Sequence, residues 1–149
     1  MGQQSKVDAR GFTLLELIVT LVVLAVAVGL VAPTIGRGTE TLRARAEVAG
    51  FSATFRHARE QAITTRQPYT VTVNPPNRLV IVTTGEDEVR WTRALSSRVD
   101  IRAETPSSLA VRFEPQGTSS GGEYRLRSGK ITYRVTVDPV TGRVRNLRE

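Results

Sequence analysis

Glu16 is the first residue that asks for a chemical explanation. It follows "RGFTLL" and lies in the stretch Phe12 to Ala32, where only Thr13, Glu16 and Thr20 are polar. A helix of that length, rising 1.5 Å per residue, just crosses a hydrocarbon layer roughly 30 Å thick. The leader "MGQQSKVDAR" carries Lys6 and Arg10, a positive flank of the kind kept on the cytoplasmic side. A carboxylate at membrane depth costs roughly 2.5–3.5 kcal/mol unless something pairs with it. Two plain readings compete for this stretch. One is a secretory signal peptide, with "AVA" at Ala25–Ala27 as small cleavage-type residues. The other is a single-pass anchor. Neither gives Glu16 a purpose.

Other reactive groups are sparse. The 149 residues hold one histidine, His57, and no cysteine, so no thiolate nucleophile, disulfide or Cys/His metal cluster can form. One histidine without a nucleophile elbow specifies no catalytic site. "EDE" at Glu86–Glu88 lacks the spacing of a calcium loop. Gly121 and Gly122 precede no strand-to-helix switch, and they read as a turn or as a loop touching other subunits. Trp91 alternates with polar neighbours, as on a sheet face. The expectation is no catalytic residue, no metal and no cofactor.

Charge is the remaining signal. The net charge is +7, almost all from arginine, and Tyr124–Glu149 alone has seven basic and two acidic residues. In "GRVRNLR", Arg143 and Arg145 alternate onto one face of a strand, with Arg148 beyond them. Such a strip holds phosphates without reading sequence, or meets acids on a partner. Tyr124 and Tyr133 are the aromatic residues near enough to stack bases.

These groups need elements to carry them. Pro33 and "GRG" at Gly36–Gly38 interrupt the apolar helix, and Thr39 is placed to cap a second stretch running to Thr65. There Ala44, Val48, Phe51, Phe55, Ala58 and Ala62 step by fours and threes into one apolar stripe. Arg43 with Glu47, and Arg56 with Glu60, are spaced to pair on the wetter side. After Pro68 the texture becomes alternating. Strands are predicted at 69–73, 78–83, 89–95, 99–103, 109–113, 123–127, 130–137 and 143–147, split by turns rich in Gly, Pro, Asn and Asp. The fold class is α+β: one long, kinked N-terminal helix, apolar in its first half, packed on antiparallel sheet.

The stretch "G-FTLLEL" resembles the processing site of type IV prepilins and type II secretion pseudopilins. "FRHAREQAI" (55–63), "FEPQGTSSGG" (113–122) and "VDPVTGRVR" (137–145) are similar to the H-type minor pseudopilins of type II secretion and to their FimT-like relatives among type IV minor pilins. "FEPQGTSSGG" leans toward the secretion arm.

The resemblance implies a prepilin leader at 1–11, an assembly helix at 12–32 and a periplasmic head at 33–149. It implies cleavage between Gly11 and Phe12 by a prepilin peptidase, followed by N-methylation of Phe12. Glu16 then becomes the fifth mature residue and Pro33 the twenty-second, a position where the family often places a kinking proline. Cleavage creates a positive α-amine, and Glu16 one helical turn on can neutralise it within the subunit or from a neighbour. The chain would sit in the bacterial inner membrane by a single pass and enter a pseudopilus, at or near its tip. Its partners would be major and minor pseudopilins and the inner-membrane assembly platform. In FimT-like relatives a basic "GR-x-R" stretch is associated with DNA capture during uptake, which makes Arg143, Arg145 and Arg148 nucleic-acid or partner contacts.

Overall fold

The computed structural model describes residues 12–149, and of residues 30–40 only the backbone. The leader, with Gly11, and the side chains of Pro33 and Thr39 lie outside the described residues. Contacts divide the chain after residue 40 into two compact units.

One helix, α1 (Leu14–Thr65), contributes to both units. Thr13 caps its start: the Glu16 N–H donates to Thr13 Oγ1 at 3.2 Å, and Leu17 N–H donates to the Thr13 carbonyl at 3.2 Å. The sequence thus carries the Thr-x-x-Glu spacing of a capping box. The helical backbone continues through Pro33 and Gly36–Gly38, where an interruption and a fresh cap at Thr39 were expected. Proline forfeits one backbone hydrogen bond and crowds the preceding turn. A full break would strand four N–H groups and four carbonyls, so continuation costs less. The helix ends at Arg66, held at φ 55°, two residues before Pro68.

In the first unit every described side chain from Phe12 to Gly29 is exposed. Among the described residues no helix is long and apolar enough to cross a membrane. The described side chains stop three residues short of Ala32, and that part of the helix falls below the ~20 residues a crossing needs.

In the second unit the expected stripe is buried: Ala44, Val48, Phe51, Phe55, Ala58 and Ala62 are each at most 4% exposed. Eight strands follow: β1 (Tyr69–Asn74), β2 (Leu79–Thr84), β3 (Val89–Ala94), β4 (Asp100–Ala103), β5 (Ala110–Phe113), β6 (Gly122–Ser128), β7 (Ile131–Val137) and β8 (Val144–Arg148). A 3₁₀ turn, Pro106–Leu109, takes the first residue of the expected fifth strand. The strands form two antiparallel four-stranded sheets, ordered β3-β2-β1-β5 and β4-β6-β7-β8. Inward positions alternate along β1 (Tyr69, Val71, Val73) and β7 (Tyr133, Val135, Val137).

A single core joins the helix to both sheets. Phe51 and Phe55 lie edge-on at 5.0 Å, and Tyr124 of β6 packs 5.1 and 5.2 Å from them. Phe113 of β5 is 6.5 Å from Phe55. Among the described residues all buried apolar side chains lie between Ala44 and Val137, so the head carries its own core. The expected pairs within the helix do not form. Glu47 instead meets Arg93 of β3 at 3.7 Å, and the Arg93 guanidinium crosses the helix at Gly50, within 2.7 Å of where a Cβ would stand. Phe55→Ala removes the ring common to both sheets and should cost about 3–5 kcal/mol. Urea unfolding of the head, residues 41–149, will show this as a lowered midpoint with an unchanged slope.

Candidate assembly surface

Arg59 lies on the helix where two loops converge. Its Nε donates to the Gly117 carbonyl at 3.0 Å and to the Thr141 carbonyl at 3.0 Å. Gly117 belongs to "FEPQGTSSGG" and Thr141 to "VDPVTGRVR", while Arg59 belongs to "FRHAREQAI". The three stretches that carry the H-type resemblance therefore meet at one guanidinium. Arg59 was not singled out from the sequence, and its signal was the co-occurrence of these three stretches.

Each loop is built to reach that point. Gly117 sits at φ 87° and closes a turn to the Glu114 carbonyl at 2.8 Å. Ser119 ties the loops together: its N–H donates to the Pro139 carbonyl at 2.8 Å and its hydroxyl to the Asp138 carbonyl at 2.9 Å. Asp138 Oδ1 accepts from the Thr141 N–H at 2.8 Å, the Thr141 hydroxyl at 2.9 Å and the Val140 N–H at 3.1 Å. The Thr141 hydrogen bonds hold the Asp138 carboxyl below the usual carboxylate range against an opposing desolvation, with smaller help from the Val140 N–H and the charge of Arg145. Gly142, at φ 61°, is buried, and a Cβ there would stand 2.4 Å from the Gly117 carbonyl oxygen.

Beside this junction runs a groove of about 480 Å³, lined by Arg56, Arg59, Glu60, Ile63, Thr64 and residues 142–145. Arg143 and Arg145 thus share one groove with the helix arginines. Arg56 reaches the Val144 carbonyl at 3.5 Å rather than pairing with Glu60. Arg143 precedes β8, Arg145 lies within it, and Arg148 belongs to a different corner, beside Tyr133 and Asn146. The three arginines do not form one site.

The basic strip is also less free than the count of seven suggests. Arg125 meets Glu104 at 3.3 Å and Glu149 at 3.4 Å, and Arg134 meets Glu123 at 2.9 Å and Glu149 at 2.5 Å. The Glu149 hydrogen bond, foremost, raises the Arg134 pKa. Tyr124 is fully buried, donates to the Ser108 carbonyl and has its pKa raised by that burial. Tyr133 is 9% exposed. Neither ring is open to a stacked base. His57 is exposed on the helix, its ring 4.7 Å from that of Trp91. Among the described residues no group of three or more His, Cys, Asp or Glu is placed to hold a metal.

The family model for the type II transport protein GspH matches residues 47–142, more than half the chain. The chain belongs to this family. Within GspH, the match contains the Arg59–Gly117–Gly142 junction and ends just before Arg143. The prokaryotic N-terminal methylation motif matches residues 7–32. The type II secretion system protein H of Xanthomonas campestris pv. campestris is 31% identical over 92% of this chain and 82% of its own length.

Two solved structures share the fold. The minor pseudopilin EpsH of the Vibrio cholerae type 2 secretion system superposes with a TM-score of 0.59 at 15% identity, over 70% of this chain and 96% of its own. The type IV minor pilin FimU of Pseudomonas aeruginosa gives 0.60 at 10% identity, over 72% and 90%. The fold is shared by a secretion pseudopilin and a type IV minor pilin alike, so the family match, not the fold, assigns the chain.

Gly142→Ala should destabilise the head by at least the roughly 1–3 kcal/mol of a left-handed non-glycine residue, because the added carbon also meets the Gly117 carbonyl. Thermal unfolding of the head checks this. Because the folded Asp138 pKa is depressed, its contribution is present above the unfolded value near 4 and is lost as pH falls through the lower folded value. Stability profiles of wild type and Asp138→Asn should therefore converge on acidification below about pH 4.

Proposed function

We propose that this GspH-family chain works as a minor pseudopilin of a type II secretion system, at or near the tip of the pseudopilus. The observation that carries the reading is the pairing of a family head with an N-terminal helix apolar on every side, whose first turn holds one carboxylate. A helix exposed in this way must be covered by lipid or by other helices. Before assembly the cover is the inner membrane, crossed once at 12–32, with the head in the periplasm. In the filament the cover is the helices of other pseudopilins.

Glu16 suits both settings. As the N3 residue beneath the Thr13 cap it sits at the positive end of the helix dipole. Cleavage between Gly11 and Phe12 places an α-amine one turn away, and N-methylation leaves that amine basic. Its charge and that of Glu16 offset each other within the subunit or across to a neighbour. The head then works mechanically, through packing and surface contacts, and the chain is a substrate of the prepilin peptidase, not an enzyme. Arg143 and Arg145 are proposed as contacts to acidic groups on adjoining subunits. Burial of Tyr124 and Tyr133 leaves a nucleic-acid role only phosphate contacts, a weak basis for single-strand binding.

Intact mass of the protein from its host membranes should show loss of residues 1–11 and gain of one methyl group. A full-length mass, or a cut after Ala27, overturns the reading. Glu16→Ala should still be cut and methylated, yet its recovery in sheared pseudopili should fall at least tenfold, the loss expected when a buried charge loses its partner.

A further inference from the structure

Among the described residues the Tyr133 hydroxyl meets no hydrogen-bond partner. The residue is 9% exposed, and its hydroxyl is buried. An unmatched buried hydroxyl is costly and calls for an explanation.

Its surroundings supply one. Tyr133 of β7 lies directly opposite Arg148 of β8, so both side chains share the helix-facing side of the sheet. Asn146 lies two residues earlier on that side, and its Oδ1 accepts from the Ser52 hydroxyl at 2.6 Å. Between this corner and the helix is a groove of about 330 Å³, lined by Arg45, Val48, Ala49, Tyr133, Asn146 and Arg148. The polar groups that line it are two guanidinium groups and the Asn146 amide N–H₂, all donors, with the buried Tyr133 hydroxyl, which can donate or accept, beneath them. Among the described residues neither Arg45 nor Arg148 has a carboxylate partner, although Arg93, Arg102, Arg112, Arg125 and Arg134 of the same head each have one.

We propose that this groove receives a single carboxylate side chain from the head of a neighbouring pilin-type subunit, a proposal that rests on the filament reading above. A lining dominated by cationic donors selects an oxyanion, and guanidinium groups match the geometry of a carboxylate. At about 330 Å³ the groove is sized for side chains rather than for a folded element. A lipid phosphate would bring acyl chains that need apolar cover, and the lining offers only Val48 and Ala49. The site is separate from the Arg59 groove, and Arg148 takes its role here.

The test uses the full-length chain in its own host, with a photo-crosslinking residue in place of Ala49. Mass spectrometry of the adduct should identify an Asp- or Glu-containing peptide of another pilin-type subunit. Arg148→Glu should lower recovery in sheared pseudopili several-fold, and an arginine at the crosslinked acid of the partner should restore it. Tyr133→Phe provides the second readout. It deletes an unmatched hydroxyl, so the melting temperature should hold or rise while pseudopilus recovery falls.

A lipid or nucleic-acid adduct, or a processed chain in pseudopili that captures no acidic peptide, overturns the proposal. So does Tyr133→Phe with unchanged recovery. If Tyr133→Phe lowers both melting temperature and recovery, the variant is misfolded and the crosslink decides. Failure of the filament reading shows separately, as an unprocessed mass.

Discussion

The head depends on one helix face being shared by two sheets. Phe51 and Phe55 are packed on Tyr124 of one sheet, and Phe55 also meets Phe113 of the other. Neither sheet is hydrogen-bonded to the other, so the aromatic cluster and the aliphatic residues around it make the connection. Ala58 and Ala62 continue the same face with small side chains, which bring the helix close to the strands beneath. Tyr124 adds a polar handle: its hydroxyl donates to Ser108, whose own hydroxyl accepts from the Glu123 N–H at 2.9 Å. The apolar stripe thus sets the architecture, and the polar groups at its margin fix the orientation of the 3₁₀ turn before β5.

At the other end of the stripe the constraint is polar. Arg59 satisfies carbonyls from two loops far apart in sequence, and Gly142 lets the second loop pass against Gly117 without a side chain between them. This explains why three unlike sequence stretches travel together in the GspH resemblance. Each supplies one wall of a single junction, and the basic groove beside it follows from how the loops are held.

Much of this was legible in the sequence because it is local. The helix stripe was readable from spacing of three and four, and the eight strands from alternation, with ends off by a residue or so. Glu16 stood out because a carboxylate in an apolar run has few explanations. What was not legible depended on partners brought in by tertiary structure. Arg56 was matched to Glu60 by spacing, yet it extends to the Val144 carbonyl. Arg125 and Arg134 counted as free charge until Glu104 and Glu123 arrived from outside the counted segment. Tyr124 and Tyr133 counted as exposed rings until the sheet turned them inward. One long helix was expected, but with an interruption at Pro33 and a fresh cap at Thr39; the backbone stays helical there because a break would strand eight groups where proline forfeits one hydrogen bond.

The cap at Thr13 bears on how this chain is handled before it is ever assembled. Phe12 and Thr13 lie outside the helix, and the first turn takes its hydrogen bonds from Thr13 onward. The cut expected just ahead of Phe12 would therefore fall before the helix, which begins at Leu14. The cap itself belongs to the part of the chain that follows the expected cut, so a cut before Phe12 would leave these hydrogen bonds in place and change the charge that stands in front of them.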